Sequence, residues 1–108
     1  MDFKEYQRRA EETAVYPRRN TLDGLIYCTL GLTGEAGEFA NKVKKMLRGD
    51  EPLKPFVELE KELGDVLWYL AEAATNLGLS FEFIAISNLE KLRTRAEQNK
   101  IKGSGDNR

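Results

Sequence analysis

Histidine is absent from the 108 residues of this chain, and its absence removes much of the chemistry that small proteins use. Without imidazole there is no histidine general base, no Ser-His or Cys-His catalytic pair and no metal site that needs a histidine ligand. Any reaction must therefore use carboxylates, lysines, hydroxyls, the single cysteine or a bound metal ion.

Three further deficits narrow the class of protein. A single cysteine, Cys28, excludes an intrachain disulfide and fits a reducing cytoplasm. The N-terminal residues MDFKEYQRRAEE lack the apolar core of a signal peptide, and no apolar run approaches the roughly 20 residues that cross a bilayer. A net charge of -1 provides no basic surface for nucleic acid. We therefore expect a soluble, cytoplasmic protein that binds neither membranes nor nucleic acid polymers.

The hydrophobic pattern predicts helices and no strand. Apolar residues recur at helical spacing over 2–15, from about 21 to 48, from about 55 to 77, and in a fourth segment that Ser80 is suited to cap. Short connections between such segments are typical of antiparallel neighbours. The predicted fold class is therefore all-α, an antiparallel bundle of about four helices.

The segments between the helices set the predicted domain organisation. Asn20 or Thr21 is a natural N-cap for the second helix, and GDEPLKP, residues 49–55, forms a loop because it contains a glycine and two prolines. Residues 1–100 are expected to form one domain, followed by a polar tail at 101–108. A domain of this size buries a modest core, so association of subunits is expected to complete it.

Two pairs of acidic residues stand out on the second and third helices. The stretch GLTGEAGEFANKVKK, residues 31–45, contains Glu35 and Glu38, and ELGD in the third helix contains Glu62 and Asp65. Each pair is spaced i, i+3, so each projects two carboxylates from one helix face. Counted outward from a hairpin centre near residue 51, Glu38 lies 13 positions before and Asp65 14 positions after, so the pairs meet if the helices are antiparallel.

Converging carboxylates repel one another unless a cation neutralises them. Oxygen-only ligation is what magnesium prefers, and magnesium sites commonly include phosphate oxygens of a substrate. The pattern therefore indicates a magnesium site for a nucleotide or another polyphosphate. Gly31, Gly34 and Gly37 would form a narrow stripe that another helix can approach closely, with Gly64 serving the same purpose from the opposite helix.

The same residues also admit an interpretation without chemistry. Acidic pairs at this spacing are common on solvated helix faces, and glycines within helices are often packing devices. On that interpretation the chain is a helical interaction module whose acidic pairs form surface or interface salt bridges.

The order of the motifs resembles a known family. GEAGE followed by KVKK, a loop and ELGDVLWYLA is similar to the MazG-like branch of the all-α nucleoside triphosphate pyrophosphohydrolases, and TAVYP and NLEKLRTR fit the same order. That superfamily carries an ExxE motif and an ExxD motif that together bind magnesium. The match falls on Glu35, Glu38, Glu62 and Asp65.

The resemblance implies an activity, a cofactor and an assembly. The expected enzyme hydrolyses a nucleoside triphosphate between its α and β phosphates and depends on Mg²⁺, with Mn²⁺ as a substitute. It is expected to remove unwanted nucleotides from the nucleotide pool and to form a homodimer or homotetramer. Glu38 is a candidate base for the attacking water. The expected substrate contacts are Lys42, Tyr69, Asn88, Lys91 and Arg95. A related enzyme, phosphoribosyl-ATP pyrophosphohydrolase, shares the fold and metal chemistry and is the alternative.

Overall fold

A computed structural model describes residues 1–49 and 56–98 as helices joined by short connections. These ranges contain four α-helices and no strand: α1 (Phe3–Glu12), α2 (Leu22–Arg48), α3 (Val57–Asn76) and α4 (Phe81–Glu97). The prediction of an all-α fold is confirmed. Most of the predicted loop at 49–55 and the whole predicted tail at 101–108 lie outside the described residues.

The ends of the helices follow from local hydrogen bonding. At the start of α2, the Thr21 hydroxyl accepts a hydrogen bond from the Gly24 N–H at 3.2 Å, and at the start of α4 the Ser80 hydroxyl accepts one from the Phe83 N–H at 3.1 Å. Gly78, with φ of +70°, follows the end of α3 in the left-handed conformation that glycine adopts readily. The predicted cap at Ser80 is confirmed, and Thr21 is the cap of α2.

The first helix is shorter than the pattern over 2–15 predicts, since it ends at Glu12. Thr13 follows it, and its hydroxyl donates to the Ala10 carbonyl at 2.8 Å while accepting the Trp68 indole N–H at 2.8 Å. A threonine hydroxyl bonded to the backbone in this way competes with continuation of the helix. Helix α1 therefore ends just before Thr13, whose hydroxyl is bonded to Trp68 of α3.

Helices α2 and α3 are antiparallel and share the largest interface of the described residues. Gly24 near the start of α2 packs beside Asn76 at the end of α3, and Gly31 further along α2 packs beside Tyr69 earlier in α3. Helix α3 also contacts α1 and α4, whereas α4 makes no contact with α2 within the described ranges. The α2–α3 pair therefore positions the predicted acidic motifs.

The core of the described residues is made of small and aromatic side chains. None of the leucine, isoleucine, valine or methionine residues in the described ranges is fully buried, and many are exposed. The buried hydrophobic residues are Ala10, Ala14, Tyr16, Cys28, Ala71, Ala74 and Phe81. Helices α2 and α3 thus retain apolar surface that the single chain does not cover. No helix in the described ranges combines the length and apolarity required to span a membrane.

Candidate active site

Three of the four predicted acidic residues come together between α2 and α3. Glu35 on α2 and Glu62 and Asp65 on α3 each offer a carboxylate oxygen, and these oxygens all lie within 4.8 Å of one another. Glu62 and Asp65 share one face of α3 because they are three residues apart, and the antiparallel packing brings Glu35 opposite them. We call this group the acid cluster.

Glu38 lies outside the acid cluster and is exposed. The predicted register set Glu38 opposite Asp65, but the contacts of residue 24 with 76 and of 31 with 69 place Glu35 at that level instead. The expected register is therefore wrong by about one helical turn, because side-chain packing along the hairpin rather than the length of its loop sets the level of the two helices. The roles of Glu38 as ligand and base stay predictions.

The charges around the cluster are asymmetric. The Lys42 ammonium donates to Glu62 Oε1 at 2.8 Å and lies 3.4 Å from Glu58 Oε2. This hydrogen bond from Lys42 holds the pKa of Glu62 below its ordinary value. Desolvation by its surroundings, together with the negative charges of the neighbouring carboxylates, raises the pKa of Glu35. Glu62 therefore loses its proton more readily than Glu35 does.

The second oxygen of Glu62 fits a cation. Glu62 is only 9% exposed, and its Oε2 is buried without a hydrogen-bond partner among the described residues. A buried carboxylate oxygen without a partner is costly, and a cation or another donor would relieve that cost. Three carboxylates form an oxygen-only donor set, which suits the hard cations Mg²⁺ and Mn²⁺. The residues present therefore fit the predicted metal.

Three aromatic residues, Tyr27, Trp68 and Tyr69, form an aromatic wall beside the acid cluster. The Tyr69 ring lies over Gly31, so close that a Cβ built on Gly31 would be 2.3 Å from Tyr69 Cε1. Tyr69 also packs edge-on against Trp68 at a centroid distance of 5.0 Å and lies tilted against Tyr27 at 6.4 Å. Because Gly31 is one turn from Glu35, the predicted position of Tyr69 beside the acids is supported, and its ring is half-buried rather than free.

The other glycines of the predicted stripe make no comparable contact. A Cβ built on Gly34, Gly37 or Gly64 would meet nothing within 4 Å in the part of the chain that the structure describes. The expectation that this stripe admits a neighbouring helix therefore does not hold within one chain. Of these four glycines, only Gly31 is required to be small by a neighbour, and that neighbour is the Tyr69 side chain.

Three predicted substrate contacts lie on α4, which contacts α3 but not α2 in the described ranges. Asn88 and Lys91 line a surface cavity of about 430 Å³ that contains none of the clustered acids. Arg95, one turn beyond Lys91, is buried at 5% exposure. The structure therefore brings Lys42 and Tyr69 to the acid cluster, while the contact of Asn88, Lys91 and Arg95 with substrate stays a prediction.

A buried polar network that the sequence did not predict lies next to the aromatic wall. Glu72 on α3 is 1% exposed and its Oε1 accepts the Tyr16 hydroxyl hydrogen at 2.8 Å. Asn76 donates to the Tyr16 hydroxyl oxygen at 2.7 Å and lies 3.4 Å from the Cys28 sulfur. Burial raises the pKa of Glu72. One feature of the sequence indicates this burial: Glu72 lies among three alanines, in the run AEAA on the buried side of α3.

The comparison with known proteins decides the family. The profile of the MazG nucleotide pyrophosphohydrolase domain matches residues 26–99, which include the whole acid cluster. The chain belongs to the MazG family. The gene 37 protein of Mycobacterium phage L5 is a relative of this MazG-family chain, 45% identical over 109 residues that cover 95% of this chain and 96% of the relative. No solved structure matches the chain. Membership of the MazG family indicates a nucleotide pyrophosphohydrolase.

Proposed function

We propose that this MazG-family protein is a magnesium-dependent nucleoside triphosphate pyrophosphohydrolase. It would cleave the bond between the α and β phosphates and release a nucleoside monophosphate and pyrophosphate. The observation that carries the proposal is the convergence of Glu35, Glu62 and Asp65, together with a buried oxygen of Glu62 that has no partner among the described residues. This convergence lies inside the segment that the family profile matches.

Each residue of the site has a distinct task in this proposal. Glu35, Glu62 and Asp65 would hold Mg²⁺, with Mn²⁺ as a substitute, and the bound ion supplies neutralisation of phosphate charge and a more acidic water. Glu38, exposed and one turn from Glu35, is the proposed acceptor of the proton from the attacking water. Tyr69, which packs over Gly31 one turn from Glu35, is the proposed substrate contact on that side of the site.

Two features support an assembly of subunits around the site. Asn88 and Lys91 line a cavity that contains none of the clustered acids, and we propose that a second subunit brings these two residues to the substrate. The exposed apolar side chains of α2 and α3 supply surface for such a contact. We therefore propose a homodimer or homotetramer that acts on the cytoplasmic nucleotide pool. Contact of Arg95 with substrate is retained as a prediction.

Release of pyrophosphate by variants of the acid cluster tests this function. We expect Glu35→Gln, Glu62→Gln and Asp65→Asn each to lower turnover by about 100-fold or more, because a ligand charge is more important than the supporting groups whose loss costs about 10- to 100-fold. Glu60→Gln, an exposed acid on the same helix, is the matched control and should retain activity. Full activity of Glu62→Gln and Asp65→Asn would overturn the assignment.

The substrate is identified by the same assay. A panel of ribo-, deoxy- and oxidised nucleoside triphosphates, with phosphoribosyl-ATP as a further member, measures which compound supports pyrophosphate release. Turnover of phosphoribosyl-ATP alone would replace the proposed function with that biosynthetic reaction. Thermal melts with Mg²⁺ and each nucleotide provide an independent readout, since a ligand that binds only the folded state raises the Tm.

A further inference from the structure

We propose that Lys42 is an internal counter-ion of the acid cluster that competes with the divalent metal for Glu62 and transfers to Glu58 when the metal binds. The inference rests on the proposed metal site and goes beyond it, because it assigns to Lys42 control over metal affinity. It starts from one contact, the 2.8 Å hydrogen bond from the Lys42 ammonium to Glu62 Oε1.

The Lys42 ammonium reaches two carboxylates from a single position. Lys42 extends from α2 to α3, where Glu58 and Glu62 lie one helical turn apart, and its nitrogen is 3.4 Å from Glu58 Oε2. The Glu58 side chain is 66% exposed, whereas that of Glu62 is 12% exposed. A lysine ammonium is a point charge on a flexible stem. Rotation of the Lys42 side chain alone can therefore move the charge from the buried carboxylate to the exposed one.

Competition follows from the sharing of one carboxylate. Glu62 offers Oε1 to Lys42 and leaves Oε2 without a partner among the described residues, on a carboxylate that belongs to the acid cluster. A divalent ion held by that cluster would share the Glu62 carboxylate with the Lys42 ammonium. Two positive charges on one largely buried carboxylate repel each other. Either metal affinity is reduced by this repulsion, or Lys42 withdraws to Glu58.

A second lysine separates this role from ordinary surface pairing. Lys61 pairs with Glu58 at 3.5 Å, and both side chains are 66% exposed. Exposed pairs of this kind contribute little, and this one does not involve a member of the acid cluster. Lys61 therefore has the same charge and a shared partner with Lys42 but no contact with Glu62, which makes it the matched control.

Direct titration of the full chain with Mn²⁺, without nucleotide, tests the proposal. We expect Lys42→Met to bind Mn²⁺ about three- to tenfold more tightly than the wild-type protein, because a competing positive charge is gone. Lys42→Arg retains the charge and Lys61→Met leaves the cluster unchanged, so both should bind as the wild-type protein does. In thermal melts, Lys42→Met should have a lower Tm without metal and a larger Mn²⁺-dependent rise.

The outcomes separate this inference from the proposed function. Weaker Mn²⁺ binding by Lys42→Met would mean that Lys42 orients Glu62 for the metal, and unchanged binding would mean that it has no influence; either result overturns the competition. If the wild-type protein does not bind Mn²⁺, or if Glu62→Gln binds it equally well, the proposed metal site fails and this inference fails with it.

Discussion

Glu72 shows how one buried residue couples the core to pH. Its side chain is almost fully inaccessible, one carboxylate oxygen accepts the Tyr16 hydroxyl hydrogen, and the other has no partner among the described residues. Desolvation favours the protonated form and raises the pKa of Glu72 in the folded protein. The same network holds Tyr16, whose ring stacks on Tyr27 at a centroid distance of 4.7 Å. The protonation state of Glu72 therefore bears on the aromatic wall.

The sign of the pH dependence follows from the two states of Glu72. Below the ordinary glutamate pKa of about 4.3, Glu72 is protonated in both the folded and unfolded chain and costs nothing. As the pH rises from there toward the raised folded pKa, the unfolded chain ionises first and stability is lost. Glu72→Gln cannot ionise, so its Tm relative to wild type should increase as the pH rises from about 4.3 to neutrality. An unchanged difference in Tm across this range would contradict the prediction.

The carboxylates of the active site illustrate what residue spacing can and cannot predict. The i, i+3 spacing in ELGD alone places Glu62 and Asp65 on one face of α3, and the structure confirms that they converge. Which acid of α2 faces them depends on the level at which α2 packs against α3. Glu35 occupies that position, and Glu38, chosen from the same motif, does not.

At the scale of elements, the closest side-chain contact along the α2–α3 hairpin near the acids is that of Tyr69 with Gly31. The Tyr69 ring occupies the space beside Gly31, where any larger residue would collide with it. Helix periodicity and the cap at Thr21 are local signals, so the sequence predicted the bounds of α2 to within about one residue. The level of α3 along α2 depends on which side chains interlock, and that information is spread over both helices.

Substitutions of the glycines on α2 test this account. Gly31→Ala should lower the free energy of unfolding, since displacement of a packed side chain costs roughly 1–3 kcal/mol and exceeds the gain of about 1 kcal/mol in helix propensity. Gly37→Ala, which meets nothing within 4 Å among the described residues, should instead gain about 0.5–1 kcal/mol. Urea denaturation measures both. A stabilised Gly31→Ala would contradict the packing argument, and a destabilised Gly37→Ala would reveal a second subunit on that face.

At the scale of the whole molecule, the distribution of apolar surface is unusual for a monomer. Leu22, Ile26 and Leu30 follow one another at helical spacing along α2 and are 71%, 50% and 69% exposed. Phe83 and Leu89 on α4 are each 67% exposed. A monomer rarely exposes contiguous apolar surface of this extent, and burial between subunits removes it from water.

Measurement of mass in solution tests the proposed assembly. We expect light scattering after size exclusion to give two or four chains at micromolar concentration, and the Tm to rise with protein concentration, because association stabilises the folded state by mass action. Leu30→Lys should shift the equilibrium toward monomer by placing a charge in the apolar stripe. Val15→Lys, an exposed position in a connection at 92% exposure, is the control. A monomeric wild-type protein at every concentration would exclude the assembly.

The sequence by itself determined the helical class, the cap at Ser80, a cap of α2 at Asn20 or Thr21, and the exclusion of histidine chemistry. These depend on residue identity and on contacts within three or four positions, which a linear pattern contains. Only the tertiary structure decided that Glu35 faces Glu62, that Lys42 bonds to Glu62, and that Glu72 is buried. Those facts depend on the level and rotation of one helix against another, which many weak side-chain contacts set together.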